Sequence, residues 1–171
     1  MNIAAQVPGR NSEFDVKICG GYRISPVIMA HAWNAYQASG DGLYESDRFM
    51  LQTIHGSLWH FFVGGGDPVK IRATFGLELM HDHRGPYVSF VYFEVQPGVR
   101  LRTIAVAVIG ACHGFTRGMH DGHGGVGPAR MLLRGRDGWQ RLLPRLGIKI
   151  DPDGWISEDQ EAFGYGTQRR Q

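Results

Sequence analysis

The sequence predicts one α/β (α+β) domain, and three patterns carry that reading. From Val69 to Leu79, apolar residues occupy every second position, the period of a strand with one buried and one wet face. From Leu101 to Phe115, the residues Leu101, Ile104, Ala105, Val108, Ile109, Cys112 and Phe115 recur at helical spacing and form one apolar stripe. Between and around these segments, turns rich in glycine and proline cut the chain into short pieces, with no internal repeat and no long linker.

Taken in order, Phe14 to Cys19 alternates polar and apolar residues and predicts a first strand, ended by Gly20-Gly21. Ser25-Pro26 opens a helix, because serine caps and proline is tolerated where an N–H has no partner; Gly40-Asp41-Gly42 stops it. Ser46 is expected to cap a second, short helix that runs to His55 and ends at Gly56. Leu58 to Val63 is a short apolar strand, and the Val69–Leu79 strand follows a glycine-rich turn. The stretch His81 to Pro86 is expected to turn. Tyr87 to Val95 is aromatic and β-branched on both faces, which places it centrally in the sheet. After the long helix, Gly118 to Pro128 reads as loop. Ala129 to Leu133 reads as strand, Trp139 to Leu146 as a helix disturbed by Pro144, and Ile148 to Ile156 as a final strand pair.

A chain of 171 residues, 43% apolar and 20% charged, suits a single domain over residues 1–171, with 157–171 as a C-terminal tail. The net charge of +2 selects no partner. Locally, however, Arg130, Arg134, Arg136, Arg141, Arg145 and Lys149 face only Asp137. That run is either a solvated helix face or a surface for phosphate-rich ligands or nucleic acid. Cys19 and Cys112, far apart, make neither a disulfide framework nor a zinc site, so a reducing compartment is expected. No signal peptide is read at Met1 to Phe14, and no apolar run approaches the roughly 18 residues of a membrane span, so a cytoplasmic location without membrane association is expected.

One segment carries more than fold. Val95-Gln96-Pro97-Gly98-Val99-Arg100-Leu101-Arg102-Thr103-Ile104-Ala105 joins the central strand to the long helix. It resembles the Val-x-Pro-x-x-Arg-Gly-x-Gly-x-Gly/Ala motif of the GNAT (GCN5-related N-acetyltransferase) superfamily. Leu142-Leu143-Pro144-Arg145-Leu146-Gly147-Ile148 is similar to that superfamily's Leu-Tyr-x-Lys-Leu-Gly-Phe, and the element order matches along almost the whole chain. The resemblance implies a mixed, mostly antiparallel central sheet flanked by helices and splayed between the central strand and the next. It also implies an acyl-CoA-dependent N-acyltransferase using acetyl-CoA or another acyl-CoA. Val95, Arg100, Leu101, Arg102, Thr103, Ile104 and Ala105 would line the pyrophosphate site, and the first helix and the Gly40–Ser46 loop would shape the pocket for the amine acceptor. The physical basis is general: a helix N-terminus offers unpaired N–H groups and partial positive charge to an anion. Leu101 and Thr103 stand where the motif has glycine, and Leu143 stands where many members have a tyrosine that protonates the leaving thiolate.

Glu94, on the central strand, is the candidate catalytic base; the alternative is a solvent-facing strand residue. Glu78 has the same two readings. His81 and His83 flank Asp82, and His120 and His123 flank Asp121-Gly122. Such spacing arises readily in a chain with eight histidines, so no metal site is assigned. There is no Gly-x-Ser-x-Gly elbow and no P-loop. Cys112 lies on the apolar stripe and reads as core. A second function class stays open: a non-catalytic structural or interaction module on the same fold. Gly135-Arg136-Asp137-Gly138-Trp139 resembles a helix start in small GNAT-like proteins of the virion interior of short-tailed bacteriophages. That resemblance implies a virion location, a larger assembly or homo-oligomer, and contact of the Arg130–Lys149 run with DNA or another protein.

Overall fold

The computed structural model describes residues 15–21, 24–40, 42–65, 70–83, 85–122, 130–132, 141, 144–145 and 150–153. Its elements follow as β1 (Asp15–Cys19), α1 (Pro26–Ser39), α2 (Ser46–Ile54), β2 (Leu58–Gly65), β3 (Lys70–Asp82), β4 (Gly85–Val95), α3 (Leu101–Gly122) and β5 (Arg130–Leu132). The strands form one sheet in sequence order. β1 to β4 are antiparallel neighbours, and β5 joins β4 in parallel. This is the mixed, mostly antiparallel sheet that was expected, with Tyr87–Val95 inside it. The described β4–β5 ladder pairs Tyr87 to Ser89 with Arg130 to Leu132.

Two apolar layers hold the sheet. On one face, α3 lays Ile104, Val108, Ile109, Cys112 and Phe115 against Phe61, Val63, Ala73, Phe75, Leu77, Val88 and Phe90. On the other, α1 and α2 bring Ala32, Ala35, Tyr36 and Phe49 against Leu58, Phe62, Val91 and Tyr92. The helical stripe read from the sequence is therefore the α3 face of the core. Cys112 is fully buried within it, and burial pushes its thiol pKa well above the ordinary value.

Local chemistry explains most boundaries. Ser25 caps α1 by accepting from the Ile28 N–H at 3.3 Å, with Pro26 in the first turn. Gly56 leaves α2 at φ +79°, a conformation few side chains tolerate. Four expectations change. The N-cap of α2 is Glu45 and not Ser46, whose hydroxyl donates to Asp47 Oδ1 instead; acidic Glu45 and Asp47 suit the positive end of the helix. β3 continues through His81 and Asp82, which pair with Pro86 and Gly85, so those residues extend the hairpin rather than turn it. α3 runs on to Gly122, because glycine inside a helix costs only about 1 kcal/mol relative to alanine. Finally, β3 has no wet face at its centre. Thr74 is fully buried beneath α1, and Gly76 beneath the Tyr92 ring. Of the C-terminal expectations, Arg141, Pro144 and Arg145 are helical and exposed, and Ile150 forms a bridge. The remainder, including Trp139, Leu143 and the tail 157–171, lies outside the described residues.

Two irregularities break the ladders. Between β2 and β3 the register shifts at Val63/Gly64, leaving Arg72 as an extra residue. Between β3 and β4 it shifts at Gly76/Leu77, leaving Val91 as an extra residue on β4. The second bulge reverses the alternation of β4. Before it, Val88 and Phe90 point to the α3 layer; after it, Phe93 and Val95 do. Val91 and Tyr92 go to the α1/α2 layer.

Tyr92 then lies across its β3 neighbour, Gly76, and a side chain at Gly76 would collide with the Tyr92 ring. Gly76→Ala is expected to destabilise the fold by about 1–3 kcal/mol, read as a lower urea midpoint. An unchanged midpoint would contradict this placement of the ring.

Candidate functional site

The α1/α2 face of the sheet is organised in rows that run across the strands. One row is Cys19, His60, Gly76 and Tyr92, on β1 to β4. The next is Lys17, Phe62, Thr74 and Glu94. Residues opposite each other in such a row have Cβ atoms about 4.5–5.5 Å apart.

The first row is closed to solvent at His60, Gly76 and Tyr92, with Cys19 half-buried at its end. The Tyr92 hydroxyl is 2.8 Å from His60 Nδ1, and His60 Nε2 is 2.9 Å from Thr53 Oγ1 on α2. Thr53 has a single proton, which it donates to the Phe49 carbonyl at 2.9 Å. It must therefore accept from Nε2–H, which leaves Nδ1 as the acceptor for the Tyr92 O–H. Each of these side chains is at most 2% exposed. Burial lowers the His60 pKa from an ordinary 6.5 to about 3. Burial, then the charges of Glu94 and Cys19, raises the Tyr92 pKa well above its ordinary value. This is a neutral, satisfied network that ties α2 to β2 and β4.

The second row is buried at Phe62 and Thr74 and keeps exposure only at its ends, Lys17 and Glu94. Glu94 is half-buried, and the bulge at Val91 sets it on the α1 side beside Thr74. His31 of α1, also half-buried, reaches Thr74 Oγ1 through Nε2 at 3.2 Å and packs on Phe62 with ring centroids 5.6 Å apart. Among the described residues, neither Glu94 nor His31 Nδ1 has a hydrogen-bond partner. The buried Nε of Arg72, two residues before Thr74, has none either.

The end of β4 leads directly to the predicted coenzyme segment. Gln96-Pro97-Gly98-Val99 forms a turn, with the Val99 N–H on the Gln96 carbonyl at 3.2 Å and Gly98 at φ +82°. Proline then glycine is the order that such a turn requires. The Gln96 N–H bonds the Arg72 carbonyl at 2.9 Å, so the turn is fixed to β3. α3 starts immediately after. Its Thr103 N–H is taken by the Arg100 carbonyl at 2.9 Å, whereas the N–H groups of Leu101 and Arg102 have no acceptor among the described residues. Arg100, Arg102 and Thr103 are exposed around this end, and Val95 and Leu101 are half-buried against the α3-side core. Ile104 and Ala105 are fully buried. They shape the helix and present no side chain to a ligand.

Of the histidines weighed for metal, His81 and His83 are exposed at the far end of the β3–β4 hairpin. The His120 side chain and His123 lie outside the described residues. Among the described residues no three metal-ligating side chains converge. Glu78 is half-buried opposite Ser89 on β4. His31, Thr74, His60 and Tyr92 were not singled out by sequence; the one signal available was polar residues at core positions of strands.

No family model and no curated protein matches the sequence. Solved structures do match in fold. Arabidopsis thaliana NAA60 in complex with acetyl-CoA aligns at TM-score 0.53 and 13% identity, over 81% of this chain and 85% of that one. A predicted acetyltransferase with acetyl-CoA from Clostridium acetobutylicum aligns at TM-score 0.54 and 11% identity, over 84% and 94%. An aminoglycoside acetyltransferase from an uncultured soil metagenomic sample, in complex with sisomicin, aligns at TM-score 0.51 and 10% identity, over 78% and 84%. The chain therefore has the GNAT acetyltransferase fold. Among the described residues no helix is long and apolar enough to cross a membrane.

The buried network sets a pH dependence. His60 stays neutral in the fold down to about pH 3, whereas in the unfolded chain it binds a proton below its ordinary 6.5. Its contribution is thus undiminished above the unfolded value and is lost progressively as pH falls toward the folded one. Between pH 6 and pH 4, the wild type should lose up to about 1.4 kcal/mol per pH unit more than a His60→Gln variant does. Parallel stability–pH curves for the two proteins would contradict a neutral His60.

Proposed function

We propose that this chain is an acyl-CoA-dependent N-acyltransferase, with the coenzyme pyrophosphate held at the start of α3. One observation carries the proposal. The first turn of α3 presents, at Leu101 and Arg102, N–H groups with no acceptor among the described residues, and surrounds them with the exposed Arg100, Arg102 and Thr103. Arginines beside the positive end of a helix oppose its dipole. A bound pyrophosphate removes that conflict and satisfies the N–H groups at once. The residues present therefore fit a coenzyme A diphosphate, even with Leu101 and Thr103 in place of the motif's glycines. The Leu101 side chain packs onto the core, and Thr103 brings a hydroxyl suited to a phosphate oxygen.

Acetyl-CoA or another acyl-CoA supplies an activated thioester, and this chain's residues orient it and manage protons. The motif runs from β4 into α3, so an acyl group reaching back from the pyrophosphate lies along β4. Glu94 stands on that strand, on the α1 side, and is the candidate base for an amine approaching from α1. Acetyl-CoA complexes among the structures of this fold support the coenzyme class. The acceptor is an amine. Leu143 has no proton to give a departing thiolate, and the Tyr92 hydroxyl does not replace the missing phenol, being buried and committed to His60.

Isothermal titration with acetyl-CoA tests the proposal. Binding in the micromolar range is expected, weakened at least tenfold by Arg100→Glu, which places a carboxylate beside the pyrophosphate. A folded wild-type protein that gives no heat at high acetyl-CoA concentration would overturn the acyltransferase reading and favour an interaction module acting through the Arg130–Lys149 run.

A further inference from the structure

We propose that α2 carries an interface between two copies of this chain, packed antiparallel about a two-fold axis beside Leu51. The helix is apolar on two sides. Phe49 and Thr53, four residues apart, form its buried side. Met50, Leu51 and Ile54 recur at helical spacing on another side, with the exposed Asp47 at the head of the stripe. Neither core cluster includes these three apolar residues. Together with Leu43, in the loop that leads to α2, they are 40% to 65% exposed. The other large apolar residues exposed among the described ones, Val27, Ile71 and Met80, lie apart from it on α1 and β3. Scattered apolar side chains on a surface are ordinary, whereas a contiguous stripe marks a contact. A helix that is apolar around most of its girth is normally covered on both sides.

The groups at the two ends of the stripe select a second copy as its occupant. Asp47 lies four residues before Leu51 and His55 four residues after it, and both are exposed. His55 keeps helical backbone, at φ −72° and ψ −8°, so it continues the line of the helix. When two such helices run antiparallel about an axis beside Leu51, the levels of residues 47 and 55 coincide, each about 6 Å from the axis at 1.5 Å per residue. Asp47 then meets the partner's His55, whose imidazole N–H donates to the carboxylate, and symmetry makes that pair twice. Arg48, which lies over the Tyr44 ring at 5.3 Å, comes level with the partner's Ile54 and covers it with its alkyl stem. Parallel pairing would set Asp47 against the partner's Asp47 instead. The contact is small: a nine-residue helix about 13.5 Å long, with the Leu43 loop, supplies less than the roughly 800 Å² per partner of a standard interface. The dimer is therefore weak and depends on concentration. This inference needs no coenzyme and is independent of the acyltransferase reading.

Sedimentation velocity of the full chain tests it. Between about 5 μM and about 500 μM the protein should pass reversibly from monomer to dimer, with a Kd of about 10–100 μM. Leu51→Glu should weaken association at least about tenfold. Because Leu51 belongs to neither core cluster, the circular dichroism and urea midpoint of that variant should match those of the wild type. Asp47→Lys and His55→Glu should each weaken the dimer about threefold, since each change touches two exposed pairs. The double variant restores opposite charges across the axis and should return to within about twofold of the wild type. A chain that stays monomeric throughout overturns the proposal and leaves the stripe to a different protein. A dimer that Leu51→Glu leaves intact overturns it as well. So does a double variant no tighter than the weaker single one, because antiparallel pairing requires the rescue.

Discussion

A single extra residue, Val91, decides what the rest of this sheet can do. In a strand that alternated strictly, Val88, Phe90, Tyr92 and Glu94 would share one face, and Glu94 would point into the α3 core beside Phe90. A carboxylate buried there without a partner costs several kcal/mol or stays protonated. The bulge moves Tyr92 and Glu94 to the α1/α2 face and returns Phe93 and Val95 to the α3 layer. Bulges commonly re-aim side chains next to active sites. Here one bulge re-aims Tyr92 and Glu94 while keeping both apolar layers continuous.

Behind the bulge, two adjacent rows of the same sheet face have opposite characters. The row containing His60 and Tyr92 is sealed by Phe49, Tyr36 and α2, and every hydrogen-bonding atom described in its Tyr92–His60–Thr53 chain is matched. Its value is rigidity: it clamps α2 and fixes the strand just past the bulge. The row containing Thr74 and Glu94 lies under His31; Phe62 and Thr74 are buried at its centre, while Glu94 at its end keeps some exposure and its carboxylate has no hydrogen-bond partner among the described residues. Unmatched polar groups at a partly buried site call for an explanation, and a ligand supplies one. The Gln96 to Arg72 backbone bond ties the turn before α3 to β3, two residues from Thr74.

Much of the scaffold was legible in the sequence. Period two in Val69–Leu79, the stripe from Leu101 to Phe115 and the Pro97-Gly98 turn are each dictated by neighbours a few residues away. The turn at Gln96–Val99 and the start of α3 were legible for the same reason, since both are local. The second row was not. His31, Thr74 and Glu94 are distant in sequence, and each alone looks like an ordinary helix or strand residue; a bulge that shifts register and a helix that crosses two strands bring them together. Burial at Thr74 and Gly76 was missed because alternation alone says that one face is apolar, not whether a helix covers the other. The end of α3 was missed because Gly118 and Gly122 read as loop, although a long, well-packed helix absorbs them.

The proposed coenzyme site lies at the first turn of α3, directly after the bulged strand β4. Amide hydrogen exchange, with and without acetyl-CoA, measures it most directly. Slowed exchange is expected at Leu101 and Arg102, whose N–H groups have no acceptor among the described residues, and no change is expected in α2. Acetyl-CoA that binds yet leaves those two amides exchanging at their free rate would contradict it.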